Sequence, residues 1–279
     1  MHPSSISVSG LRVIEPPKGW LAVNWLEIWQ YRELLYFLTW RDIKVRYKQT
    51  VLGILWAFIQ PFLRLVIFSV VFGRMAHMDS GIYPYPIFLY AALLPWQFFS
   101  DALSRSSMSV VGGGSLVSKV YFPRLVIPIA SVGACLVDFA VACVILLGLM
   151  LYYGLYPTAL IVWMLPLTLL TVVVALGAGI FLSALNVAYR DFRQVVPFML
   201  QVWFFASPIV WPITKVPEPW RWVVAMNPIT GIAEAYRYAV LGQPFVGWHL
   251  GVSVVTTALL FAFGLHVFRR LEKRFADII

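Results

Sequence analysis

From Val51 to Phe72 the chain reads VLGILWAFIQPFLRLVIFSVVF, an apolar stretch whose polar side chains are Gln60, Arg64 and Ser69. A bilayer core needs about 20 residues of helix to cross it, so this stretch is long enough to span. Immediately before it stand Arg41, Lys44, Arg46 and Lys48. Lys and Arg resist translocation, so a basic block flush against a span pins that end to the cytoplasm. One segment therefore predicts both a location and an orientation.

The remainder of the chain agrees with a membrane class. Of its 279 residues 61% are hydrophobic and only 12% charged, against about 25% charged in soluble domains. A soluble core of this size could not hide so much apolar surface. The formal charge of +9 is the excess expected beside spans and does not indicate nucleic acid. Cys135 and Cys143 stand eight residues apart in an apolar run. At about 100° per residue they point in different directions on a helix and read as packing residues rather than a disulfide or metal pair. His2, His77, His249 and His266 make no ligand spacing. The N-terminus lacks the apolar core and cleavage site of a signal peptide.

Residues 1–19 read as a flexible cytosolic tail, followed over 20–50 by an amphipathic helix at the membrane–water boundary, a helix on a cytosolic partner being equally compatible. Six spans follow, at 51–72, 82–100, 125–153, 158–187, 194–212 and 246–268. The second span is entered through Pro84 and Pro86 and bends near Pro95. In the fourth, Gly177 and Gly179 permit close helix packing. Residues 101–124 form a cytosolic loop whose Gly112-Gly113-Gly114 permits a turn. No Gly-Lys-Ser/Thr follows it, so it is no phosphate loop. The segment before Pro123 is the natural docking element for a cytosolic partner.

The stretch 215–243 is too broken by proline to span as one helix. It reads as two short re-entrant helices, or alternatively as a surface-lying amphipathic helix. Asn227-Pro228 is an N-cap with proline in the first turn, and Gly242 ends that helix. A basic cytosolic tail, 269–279, closes the chain. The predicted fold is thus an all-α polytopic membrane protein with both termini cytosolic. On this topology sixteen Lys/Arg lie inside and four outside (Arg74, Lys215, Arg221 and Arg237), with Arg64 in the membrane.

No nucleophile elbow, paired-carboxylate site, metal spacing or nucleotide loop is present, so no energy-converting active site is expected on this chain. The intramembrane ionisable groups are Arg64 and Asp138. A charge in hydrocarbon needs a partner or a wet cavity. The two either pair with each other or Asp138 is protonated, in a packing or a transport role. Trp56, Gln60 and Arg64 are spaced four apart and share a face. In the fifth span Gln194, Phe198, Gln201 and Phe205 share another, at spacings of four, three and four.

The run Trp40-Arg41-Asp42-Ile43-Lys44-Val45-Arg46-Tyr47-Lys48-Gln49-Thr50, followed by Leu52-Gly53-Ile54-Leu55-Trp56 and Gln60-Pro61, resembles the signature of bacterial ABC exporter permeases. Among these it is most similar to the polysaccharide-export subunits that move O-antigen, capsule or teichoic-acid chains across the cytoplasmic membrane. The resemblance implies a homodimer with the conduit between subunits, and a separate ATPase subunit that holds ATP and Mg, leaving no cofactor on this chain. It implies a coupling helix in the loop between spans two and three, where Lys119, Tyr121, Phe122 and Arg124 stand, together with Trp40, Arg41 and Asp42 for contact with the ATPase. Sugar rings stack their C–H faces on aromatics and their hydroxyls seek amides. A lipid-linked polysaccharide could therefore slide along the Phe/Gln stripe, while simple helix packing explains the same spacing. Trp56, Gln60 and Arg64 would line the conduit with it. A drug or lipo-oligosaccharide exporter of the same class is an alternative. A membrane enzyme acting on lipid-linked sugars is another, but the acid pairs it would need are missing.

Overall fold

Apolar runs of helical length, separated by glycine and proline, make a bundle the only economical arrangement, and the computed structural model of the chain is all-helical among its described residues. Those residues are 25–48, 55–78, 80–117, 120–189, 191–272 and Phe275. The predicted tail 1–19, the first residues of the predicted first span, Lys119, Arg190, Lys273 and Arg274 lie outside them.

The helices are α1 (Trp25–Gln30), α2 (Arg32–Lys48), α3 (Leu55–Phe68), α4 (Tyr85–Gly112), α5 (Gly114–Val117), α6 (Val126–Tyr152), α7 (Met164–Ala188), α8 (Phe192–Ala206), α9 (Glu218–Ala225), α10 (Pro228–Leu241) and α11 (Gly247–Glu272). α3 continues into wider π-helical turns at Ser69–Met75, and a 3-10 segment, Ala159–Trp163, leads into α7. Four of these stretches are long and apolar enough to cross a membrane: Leu55–Met75, Val126–Tyr152, Ala159–Ala188 and Gly247–Glu272.

α4 is the hub, packed against α6, α7 and α10. Ile87 to Phe99 are buried along its whole length, at every angle round the helix. The expected second span stops at Ser100, yet the helix runs on to Gly112. Ala102, Leu103, Ser106, Ser107 and Val110 continue the inward face at helical spacing. The cytosolic loop predicted from Asp101 is therefore helical for its first half, because serines on the α7 side pack where larger side chains could not. A Cβ added at Gly179 would fall 2.5 Å from the Ser106 hydroxyl. On the opposite side of α7, a Cβ at Gly177 would fall 2.8 Å from the Phe261 Cα of α11. These two glycines let α4, α7 and α11 approach backbone to backbone.

α8 ends at Ala206 rather than at Pro212. Ser207 is extended (φ −103°, ψ 145°), as a residue before proline prefers. Asn227 caps α10 with its Oδ1, which accepts from the Ile229 amide at 3.0 Å and from Trp203 Nε1 at 2.9 Å. Its Nδ2 donates to Ser207 Oγ at 2.7 Å, so the cap also ties the α9–α10 hairpin to the end of α8. Gly242, at φ 68°, terminates α10 in the left-handed conformation that glycine adopts without strain.

α10 is buried on nearly every side. Arg237, which the sequence places among outside charges, is 4% exposed. Its guanidinium lies 3.8 Å from the Phe88 ring centroid and donates to the carbonyls of Phe88 and Ile209. A buried arginine is tolerated when its donors are satisfied and its plane lies on an aromatic face. One of the four Lys/Arg that the sequence places outside is thus buried in the bundle.

α2 lies along α6. Leu38 is buried with Phe122, Val126, Ile127 and Ala130. Thr39 Oγ1 reaches the Ala130 carbonyl, and Arg46 reaches Cys135 Sγ at 4.0 Å, so the two helices advance in the same direction. Apolar side chains point both ways from α2: Tyr36, Phe37, Trp40 and Val45 remain exposed on it.

Candidate functional site

Polar side chains from four helices meet at one level of the bundle. Trp56, Gln60 and Arg64 recur every fourth residue on α3, and Gln97, Asp101 and Arg105 recur in the same rhythm on α4. α6 adds Cys135 and Asp138, and the last turn of α2 adds Arg46 and Tyr47. Together with the rings of Phe98 and Phe139 they line a cavity of about 280 Å³. Arg105 lies seven residues before the end of α4, and Asp138 twelve residues after the start of α6. At 1.5 Å per residue Arg105 stands about 10 Å and Asp138 about 18 Å along these helices from the end of the bundle where α4 stops and α6 starts.

Asp138 forms an ion pair with Arg46 and accepts a hydrogen bond from the Tyr47 hydroxyl. Its partner is thus the basic block that precedes the first span, not Arg64, and the pair stands half-buried where attraction is strengthened by poor hydration. Asp101 lies in the field of Arg64, Arg105 and Arg46. Two carboxylates therefore face three guanidiniums, leaving one positive charge in excess. Arg64 and Arg105 make no hydrogen bond among the described residues, and Arg46 Nε is buried without a partner there. The arrangement can hold and release an anion. Among the described residues no three His, Cys, Asp or Glu side chains gather to hold a metal ion.

Trp56, Gln60, Arg64 and Asp138, singled out from the sequence, are brought together here. Arg46, Tyr47, Gln97, Asp101 and Arg105 were missed. The four-residue spacing of Gln97, Asp101 and Arg105 repeats the α3 pattern and could have revealed them had the second span not been ended at Ser100. The other conduit candidates lie elsewhere. Gln194, Phe198, Gln201 and Phe205 are exposed on one face of α8, while Leu200 and Phe204 turn inward. Phe198 borders an open apolar groove of about 800 Å³ with Val202, Trp203, Val223 and Met226.

The expected coupling residues divide. Tyr121 is 65% exposed, but Phe122 is 5% exposed and wedged beneath α2. Phe122 is an anchor for the segment and not part of a docking surface, a correction that follows from Leu38 covering it. Arg124 donates to the Glu272 carbonyl and lies over the Phe275 ring at 5.7 Å, so it joins this segment to the end of α11. Arg41 and Asp42 pair with each other at 2.8 Å, and Lys44 lies 5.2 Å from the Trp40 ring centroid, all at the surface. Lys119 is outside the described residues.

Residues 33–241 match the family described as ABC-2 type transporter. The chain is 29% identical over 248 residues to an O-antigen export system permease protein, RfbA, of Klebsiella pneumoniae, covering 88% of this chain and 95% of that protein. It is 31% identical over 208 residues to the RfbA protein of Myxococcus xanthus, covering 74% of this chain and 79% of that one. To the polysialic acid transport protein KpsM of Escherichia coli it is 27% identical, covering 84% and 91% of the two chains. With four membrane-length helical stretches and a family match over residues 33–241, the chain belongs to the ABC-2 type transporter family.

Proposed function

We propose that this chain is the permease subunit of an exporter that moves a lipid-linked polysaccharide across the bacterial cytoplasmic membrane, driven by ATP hydrolysis on a separate subunit. The observation that carries this reading is the similarity to O-antigen export permeases over 95% of their length. The family makes the chain a transport subunit rather than an enzyme.

In this reading α3, α4, α6, α7, α8 and α11 are six crossings, and both termini are cytosolic. Arg124 just before α6 and Arg269 and Arg270 at the end of α11, which the Arg124–Glu272 contact brings to one end, support that orientation. α10 is short, about 21 Å over its 14 residues, and is entered at Pro228 and left at Gly242. It and α9 would form a re-entrant hairpin from the outer side. Its burial against α4, α7 and α11 meets the requirement that non-spanning backbone at membrane depth be enclosed in protein.

Two copies of the chain would enclose the conduit. The exposed Gln194, Phe198, Gln201 and Phe205 face of α8, with the α3 side that carries Trp56, Gln60 and Arg64, supplies aromatic faces and amides for a sliding chain. Trp40, Arg41, Asp42, Lys119 and Tyr121 would meet the ATPase. The test is deletion of the gene with complementation. Loss of surface polysaccharide with accumulation of lipid-linked chains inside the cell is expected. An unchanged surface would contradict the reading.

A further inference from the structure

We infer that the cavity between α2, α3, α4 and α6 is a receptor for the phosphate-ester headgroup of a membrane amphiphile, with Arg64 and Arg105 as the ligand-binding residues. The inference rests on the export reading only for the identity of the amphiphile, since a lipid carrier is joined to its sugar through phosphate.

The chemistry is that of an anion site left open. Three guanidiniums carry more N–H donors than two carboxylates can use: Asp138 is engaged by Arg46 and Tyr47, and Asp101 forms no ion pair with any arginine among the described residues. Arg64 and Arg105 reach the cavity from different helices with no hydrogen bond among the described residues. Two planar forks converging from two sides suit an oxyanion with several equatorial oxygens, such as a phosphate or diphosphate. Asp138 holds Arg46 in place while the site is empty, and Asp101 stands in the field of Arg64 and Arg105 without an ion pair to either among the described residues. Both carboxylates also weaken an incoming anion's hold, as a transport step needs, because cargo must leave.

Size and surroundings narrow the ligand further. At about 280 Å³ the cavity falls just below the usual range for whole small-molecule ligands, so it admits a headgroup and not an oligosaccharide. α3, which forms one wall, turns Leu55, Phe62, Leu63, Val66 and Ile67 outward, each at least 41% exposed. A lipid tail can lie along that apolar face while its head reaches Arg64, one helical turn from Gln60. A free phosphate in the cytosol would gain nothing from this wall.

The test uses the chain with its ATPase partner in nanodiscs of neutral phosphatidylcholine, and radiolabelled polyprenyl diphosphate as probe. Arg64→Gln and Arg105→Gln should each weaken binding about tenfold, the loss expected for one charge-assisted pair. Arg270→Gln, at an exposed position outside the cavity, should leave it unchanged. Arg64→Lys, which keeps the charge, should retain part of it, separating a lost contact from a misfolded chain. Inorganic pyrophosphate should compete and polyprenol without phosphate should not. Displacement by phosphatidylglycerol at comparable concentration would support the site while making a membrane phospholipid its occupant. Binding that is indifferent to both glutamine variants, or competition by phosphate-free polyprenol, overturns the inference. Surface polysaccharide made by the wild-type chain is read separately. Its absence alongside intact, arginine-dependent binding would count against the export reading and in favour of the site.

Discussion

At the scale of single residues, chemistry that looks interchangeable in sequence is divided by burial. Tyr121 and Phe122 are adjacent aromatics in the same segment, yet one is open and the other sits under Leu38. Tyr121→Ala should leave stability within about 0.5 kcal/mol, as for surface changes generally, while reducing export and co-purification of the ATPase. Phe122→Ala should cost about 3–5 kcal/mol through the cavity it leaves, seen as a lower unfolding temperature in detergent before any effect on coupling is interpretable. Equal stability of the two variants would refute the division. The same logic explains Asp138. Sequence marks it as a charge in need of a partner and offers Arg64, or protonation. Arg46 wins because α2 runs beside α6 and delivers it there.

At the scale of elements, α8 shows how a helical face gains meaning from what fails to cover it. Val196, Leu200 and Phe204 form its inward stripe, and Gln194, Phe198, Gln201 and Phe205 the outward one. The outward stripe is either conduit wall or lipid contact, and water access separates the two. With Cys135 and Cys143 replaced, single cysteines at Phe198, Gln201 and Phe205 should react with a membrane-impermeant thiol reagent, faster during ATP turnover. Cysteines at Leu200, buried, and Trp203, half-buried, should remain slow. Equal labelling of both faces, or none on either, would exclude the conduit. α4 makes the complementary point. Its length was underestimated because Asp101, Ser104 and Arg105 read as the onset of a loop, whereas a helix tolerates Asp101 and Arg105 when they line a polar cavity.

For the whole molecule the division of labour between subunits is the testable property. The chain carries no Gly-rich loop with Gly-Lys-Ser/Thr to cradle a phosphate. Purified alone it should show no nucleotide turnover above a preparation carrying a catalytically dead ATPase, and turnover should appear only in the mixture with the active partner. Hydrolysis by the isolated chain would overturn this. Arg124, bound to the Glu272 carbonyl and lying over Phe275, ties the segment that would meet such a partner to the far end of the chain. Movement there would pass directly into α11 and, through the Gly177 contact, into α7.

The sequence by itself determined the membrane class, the helical content, the ends of α6, the cap and stop of α10 and the excess of basic residues at one end. All of these follow from local properties: run length, hydropathy, and the backbone preferences of asparagine, proline and glycine. Only the tertiary structure decided which polar groups share a space. The partner of Asp138, the burial of Arg237 and Phe122, and the meeting of Gln60 and Arg64 with Asp101 and Arg105 depend on the register between helices. That register is set by close backbone approaches such as Gly177 against Phe261 and Gly179 against Ser106. Helical spacing names the residues on a face. It carries no information about which face of which neighbour they will meet.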